Sequence, residues 1–208
     1  MKMYRSRLTL DILDPSVQRA LRDVNDMHRN LMCAFGQIDS DTPRAAESFT
    51  YSLMDYNRRP AVYVLSASKP DWSKVRGYEP VDEPRDITSL KNVLKAGTVF
   101  SFRVFASPTK KTAREGKLSA RVYLRSAEER RAWLERHAKA AGFSVLSLSE
   151  NGEKHVHGSK NGCPIDYTGV VFTGVLRIED EEAFWKAYCG GIGPGKAYGL
   201  GMLMIGRI

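Results

Sequence analysis

Two stretches of this 208-residue chain carry residue types that handle phosphate chemistry. The first is Asp26-Met27-His28-Arg29-Asn30-Leu31. An imidazole titrates near pH ~6.5, so His28 can take or give a proton at neutral pH. The same position, on the apolar side of a helix pattern, also suits a packed core histidine. The other histidines, His137, His155 and His157, all lie in the second half, so a two-histidine acid/base pair would have to form across the halves.

The second stretch is the glycine-rich segment Gly190-Gly191-Ile192-Gly193-Pro194-Gly195-Lys196-Ala197-Tyr198-Gly199-Leu200-Gly201. Glycines let a backbone approach phosphate closely, and their amides can cradle an anion. Gly190 to Lys196 formally matches a phosphate-binding G-x4-G-K loop. Three things reject that reading. Ala197 stands where a Ser or Thr would hold magnesium, Pro194 removes an amide, and a short strand rather than a helix follows. Six glycines and a lysine in twelve residues still exceed what a plain connection requires, and Gly193, Gly195 and Lys196 are candidate phosphate contacts.

Basic residues cluster twice more. Arg103, Lys110, Lys111, Arg114, Lys117, Arg121 and Arg125 form one run, and Lys154, His155, His157 and Lys160 another around a hairpin. With a net charge of +8, both suit phosphate contacts by counterion release. No HExxH or two-metal carboxylate set is present, and the lone DxD, Asp39-Ser40-Asp41, reads as turn chemistry. Cys33, Cys163 and Cys189 are far apart with no CxxC, which argues against a disulfide framework and a structural zinc. No metal or cofactor is expected.

These residues need elements to position them. Tyr4 to Ile12 alternates as a strand. Asp14-Pro15-Ser16 opens a helix, and Val17, Leu21, Val24, His28, Leu31, Met32 and Phe35 continue one amphipathic helix to Gly36. A loop over 39–47 precedes strands at Ser48–Met54 and Ala61–Ser66, turned by Asn57-Arg58-Arg59-Pro60. Lys69-Pro70-Asp71-Trp72 opens a short helical or irregular segment, and Tyr78–Asp86 is a weak edge strand running into a linker. A second unit starts near Leu94 with a strand through Val99–Phe105. Ser126 caps a helix ending at Gly142, with Glu129 in capping-box position. Strands follow at Phe143–Leu148, His155–Lys160 and Ile165–Ile178, then a helix from Asp180 to Tyr188 and a last strand at Leu200–Ile205.

The order β-α-β-β-α-β therefore occurs twice, predicting an α+β fold of two tandem ferredoxin-like (RRM-like) domains over residues 1–88 and 94–208. RNA readers use this topology. The composition, 42% hydrophobic and 27% charged, excludes a disordered chain. There is no apolar run long enough for a transmembrane helix and no signal-peptide pattern, so a cytoplasmic protein with reduced thiols is expected. No helix-turn-helix pattern supports a transcription factor.

Four segments carry a resemblance. The first strand with Asp26–Leu31, Lys69-Pro70-Asp71-Trp72-Ser73, Phe102-Arg103-Val104-Phe105-Ala106-Ser107-Pro108-Thr109-Lys110, and Gly191–Leu203 resemble, in order along the chain, the CasE family. These are CRISPR-associated endoribonucleases of the type I-E Cascade system. The resemblance implies sequence- and shape-specific binding of a CRISPR repeat hairpin. It implies one metal-independent cut that turns precursor into crRNA, and retention of that guide RNA beside other Cascade subunits, with no membrane partner. It places the catalytic histidine on His28, the glycine loop on Gly191–Gly201 and the basic hairpin on Lys154–Lys160. Some members carry a Tyr three residues before the histidine; this chain has Asn25. The expected catalytic residues are His28 and Asn25. The expected RNA contacts are Arg29, Arg103, Lys110, Lys111, Lys154, His157, Lys160, Gly193, Gly195 and Lys196. A tandem RRM-like binding module without catalysis, His28 being a core residue, is the alternative.

Overall fold

Alternating Tyr4–Leu10 forms β1, whose Leu8 and Leu10 enter a core while Arg5 and Arg7 face away. The computed structural model describes residues 2–36, 48–114 and 117–208, with side chains described outside 113–120. The Asp39-Ser40-Asp41 loop lies outside the described residues, as do the Arg114 and Lys117 side chains.

The amphipathic stretch after Asp14 is two helices rather than the expected one: α1 (Pro15–Arg22) and α2 (Val24–Met32). Asp23 breaks it by taking an extended conformation, φ −131° and ψ 113°. Its side chain then accepts from the Asn25 amide at 2.8 Å and caps α2. A short polar side chain offers the backbone this alternative to a helical bond. A 3-10 turn over Cys33–Phe35 ends the segment.

β2 (Thr50–Tyr56) and β3 (Arg59–Ser66) join through Asn57-Arg58, both at positive φ, as a two-residue hairpin of this twist demands. A 3-10 turn at Trp72–Lys74 stands where a second helix would be. The expected single edge strand is two short pieces, β4 (Tyr78–Pro80) and β5 (Arg85–Asp86), both antiparallel to β1. The sheet order is β2-β3-β1-β4.

The second sheet repeats this order. It uses β6 (Val99–Ala106), β9 (Phe143–Lys160), β10 (Cys163–Ile178) and β11 (Leu203–Gly206), arranged β11-β6-β10-β9. Numbered within each unit, both sheets read 4-1-3-2, the ferredoxin-like arrangement. Between β6 and α3 (Ala127–Ala140) the basic run forms a separate hairpin, β7 (Thr109–Arg114) and β8 (Lys117–Tyr123). Phe143–Lys160 is one long strand rather than the two expected, because it pairs with β10 along nearly its whole length. α4 (Glu181–Gly190) closes the unit.

Arg130 ties α3 to the strands, meeting Glu150 at 2.7 Å and Glu153 at 3.2 Å. Ser126 caps α3 by accepting from the Glu129 amide at 3.1 Å, while the Glu129 carboxylate meets Lys110 at 3.0 Å. The two units share apolar contacts: Met3, just before β1, and Leu65 of β3 are fully buried in the core of the second. A fully buried side chain of this size contributes about 1.5–3 kcal/mol, so the pair helps hold the sheets in one arrangement. No helix among the described residues is long and apolar enough to cross a membrane.

Candidate active site and nucleic-acid interface

His28 lies on α2, half-buried, with its ring 6.0 Å from that of Phe49. Asn25 is one turn earlier on the same helix and also half-buried, so the two neighbour each other on its surface. Arg29 is exposed, 3.9 Å from Asp26. Two segments from the far end of the chain meet this helix. The amide of Ser159, on β9, donates to Asp23 at 3.0 Å, and Gly158 sits so close to Asp23 and Val24 that a Cβ there would overlap the Asp23 carboxylate. The 3-10 turn Lys196–Tyr198 packs on the other end of the contact, against α2 and β2.

The glycine loop folds on itself rather than opening as an anion cradle. Ile192 N donates to Gly201 O at 2.8 Å, Tyr198 N to Gly195 O at 2.8 Å and Gly201 N to Phe105 O at 2.6 Å. Much of its glycine content is therefore structural. At Gly201 (φ +82°) a Cβ would overlap the Ile192 carbonyl, and at Gly193 (φ +74°) it would come 2.8 Å from the Trp133 ring. Both demands exclude side chains. Gly195 approaches Leu200 as closely, and Lys196 is half-buried at the start of the turn that meets α2. Tyr198 faces Tyr167, with ring centroids 6.0 Å apart. Burial, then the nearby Tyr167 and Asp23, push its phenol pKa up.

A groove of about 490 Å³ opens beside this loop. It is lined by Lys110, Lys111 and Arg121 of the β7–β8 hairpin, Arg136 and His137 of α3, and Gly193 and Pro194 of the loop. Among the described residues no carboxylate lines it; Glu129 meets Lys110 from outside. His137 stacks on Trp133, centroids 4.0 Å apart, with Nδ1 2.8 Å from the Trp133 carbonyl. Burial, with added repulsion from Arg136 and Lys196, lowers its pKa. Such a groove of cations at helical and loop edges suits a phosphodiester backbone.

A second opening, about 410 Å³, lies between the two units. Arg103, Lys154, His155, His157 and Tyr198 line one side, and Arg22, Tyr51 and Leu53 the other. Arg103 is half-buried, its pKa lowered by desolvation, and its Nη1 has no hydrogen-bond partner among the described residues. Lys154 and Lys160 are exposed on β9, and His157 Nδ1 lies 3.5 Å from Asp166 Oδ1.

The sequence matches the family model described as CRISPR associated protein over residues 3–207. It is 30% identical over 219 residues to the CRISPR-associated endoribonuclease Cse3 of Thermus thermophilus, covering 98% of this chain and 99% of that protein. The chain belongs to the CRISPR-associated Cse3 endoribonuclease family. The structure superimposes on Thermus thermophilus Cse3 bound to an RNA representing a pre-cleavage complex with a TM-score of 0.86, at 29% identity and 100% coverage of both chains. A chain of a CRISPR RNA-guided surveillance complex shares the fold, with a TM-score of 0.76 at 24% identity, over 99% of this chain and 100% of that one.

In this Cse3-family chain the candidate residues fall into three groups. His28, Asn25 and Arg29 ride on α2, which the Lys196 turn contacts. Lys110, Lys111 and Gly193 share the groove. Arg103 does not join them despite lying in the same basic run; it opens onto the cleft with Lys154 and His157. Sequence reasoning missed Asp23, Arg136 and Tyr198, and left His137 without a role. Asp23 had a local signal, being a capping-type residue inside a helix pattern. Arg136 and His137 of α3 meet Gly193 and Pro194 only in the folded chain, as Tyr198, within the loop, meets Tyr167 of β10.

Proposed function

We propose that the chain binds a CRISPR repeat RNA and cuts it once, with His28 supplying or accepting a proton. The division at residues 1–88 and 94–208 puts His28 on the first unit and the RNA-gripping elements on the second. One observation carries the reading: the helix bearing His28 is the helix that the basic β9–β10 hairpin and the glycine-loop turn both grip. Nothing in the packing of a core histidine calls for that convergence. End-to-end similarity to a Cse3 caught before cleavage supports it.

RNA brings its own nucleophile. The 2′-oxygen attacks the adjacent phosphorus, the bond to the 5′-oxygen breaks, and the products are a 2′,3′-cyclic phosphate and a 5′-hydroxyl. The leaving oxygen takes a proton and the 2′-hydroxyl loses one, and His28 serves one of these transfers. Asn25, lacking a phenol, holds a phosphate oxygen or the 2′-hydroxyl by hydrogen bonds. A cation, with Lys196 the nearest candidate on the loop that touches α2, stabilises charge on the phosphorane. The groove formed by Lys110, Lys111 and Gly193 tracks the backbone, and the cleft with Arg103, Lys154, His157 and Lys160 grips the stem. The cut guide RNA stays bound and joins the other Cascade subunits in the cytoplasm.

The test is cleavage of the repeat RNA in EDTA by the unmodified chain and by His28→Ala, with binding followed in parallel. A single cut lost by ~10²-fold or more in the variant, at unchanged affinity, is expected. Binding without cutting by either protein would instead make the chain a non-catalytic RNA-binding module.

A further inference from the structure

The β9–β10 hairpin holds a constellation that backbone-phosphate contacts do not explain. His155 and His157 are two apart on β9, so strand geometry directs both to one face. Their rings are nearly parallel, 11° between planes with centroids 5.9 Å apart. Asp166 is the cross-strand partner of His157, and its Oδ1 stands 3.5 Å from His157 Nδ1. One donor atom from each of the three lies within 4.8 Å of the others, and all three residues are exposed. Among the described residues, this is where three such side chains converge.

We infer that His155, His157 and Asp166 form a binding site for a divalent transition-metal ion, Zn²⁺ foremost. Two imidazoles and a carboxylate are donors that borderline ions take, whereas Mg²⁺ favours all-oxygen shells. A tetrahedral ion ~2.0–2.1 Å from each donor holds the donors about 3.3 Å apart. The His157–Asp166 pair already stands at nearly that separation, and turning the exposed His155 ring closes the third edge. The continuous β9–β10 ladder fixes all three backbones, so binding orders only side-chain torsions. Thr168 pairs with His155, and its Oγ1 lies 3.4 Å from His155 Nδ1. Three protein ligands leave a fourth position for water or another oxygen donor.

The donors sit on the hairpin, not on α2, so the ion takes no part in the proton transfers assigned to His28. His157 is also a proposed RNA contact, and His155 and His157 line the cleft that Val24 and Met27 of α2 line, so the site is tested on the chain without RNA.

The experiment is calorimetric titration of the full chain with ZnCl2, together with absorption spectra of the Co²⁺-loaded chain. One ion per chain is expected, with the intense visible bands of a four-coordinate nitrogen/oxygen site and no thiolate-to-metal charge transfer. His155→Gln, His157→Gln and Asp166→Asn should each weaken binding about tenfold or more. Cys33→Ser and Cys163→Ser, which alter the exposed thiols, should leave it unchanged. Absence of saturable Zn²⁺ binding, a thiolate charge-transfer band, or full affinity in the three variants would each overturn the site. The Co²⁺ spectrum reads the unmutated chain, so the outcome does not depend on the variants folding.

Discussion

The Asp23 carboxylate binds the amide of Ser159 at 3.0 Å across 136 residues of sequence, while its other oxygen caps α2 through the Asn25 amide at 2.8 Å. One residue thereby ends one helix through its backbone amide, and its side chain starts the helix that carries His28 and fastens that helix to the basic hairpin.

Replacing Asp23 with Ala removes the cap and the interdomain bond together. A lost cap costs about 1 kcal/mol and a hydrogen bond to a charged acceptor somewhat more. Asp23→Ala should therefore lower stability by about 2–3 kcal/mol in urea denaturation, and slow RNA cleavage beyond any change in affinity. Unchanged cleavage would show that the fastening does not position α2.

The groove beside the glycine loop should report itself through salt dependence. Lys111→Ala and Arg136→Ala each remove one phosphate neighbour, so each should reduce the slope of log affinity against log salt by roughly 0.7–0.9. Lys110→Ala should do less, because Lys110 is already engaged by Glu129 at 3.0 Å. Filter binding at several salt concentrations measures this; slopes equal to the parent's in Lys111→Ala and Arg136→Ala would remove RNA from this groove.

Tyr51 is almost completely buried, and its hydroxyl has no hydrogen-bond partner among the described residues. Burial, with smaller contributions from Tyr78 and Tyr198, drives its pKa far above the phenol range. Removing an unsatisfied buried hydroxyl while keeping the ring is neutral to stabilising. Tyr51→Phe should match or exceed the parent's stability, by up to about 1 kcal/mol. A loss of that size would mean that the hydroxyl has a partner in solution.

The lowered pKa of His137 gives it a stability contribution that acid removes. Its folded pKa lies below the unfolded value of ~6.5, through burial first and then the charges of Arg136 and Lys196. As pH falls, the unfolded chain takes the proton before the folded one, so this contribution is full above ~6.5 and is lost as pH drops through the folded value. The melting temperature of His137→Gln should therefore fall less than the parent's between neutral pH and pH ~5. Parallel curves would show that His137 titrates alike in both states.

The duplicated element order was readable along the chain because alternation, caps and turns are local. Tyr4–Leu10 alternates whatever surrounds it, Ser126 caps α3, and Asn57-Arg58 turns β2 into β3. His28 and the glycine loop were singled out as candidates from residue type and order. Other features depended on distant partners. Phe143–Lys160 stays one strand because β10 pairs along it, and the helix after Asp14 breaks because the Asp23 carboxylate has two amides to bind, one of them on β9. Arg103 and Lys110 lie seven residues apart, yet one enters the cleft and the other the groove, since β6 ends and the β7–β8 hairpin turns away between them. His155 and His157 meet Asp166 only through the antiparallel register. The sequence by itself determined the order of most elements and the side chains available for chemistry. Which of them share a site was decided by tertiary structure, because strand register and helix packing set distances that spacing along the chain does not encode.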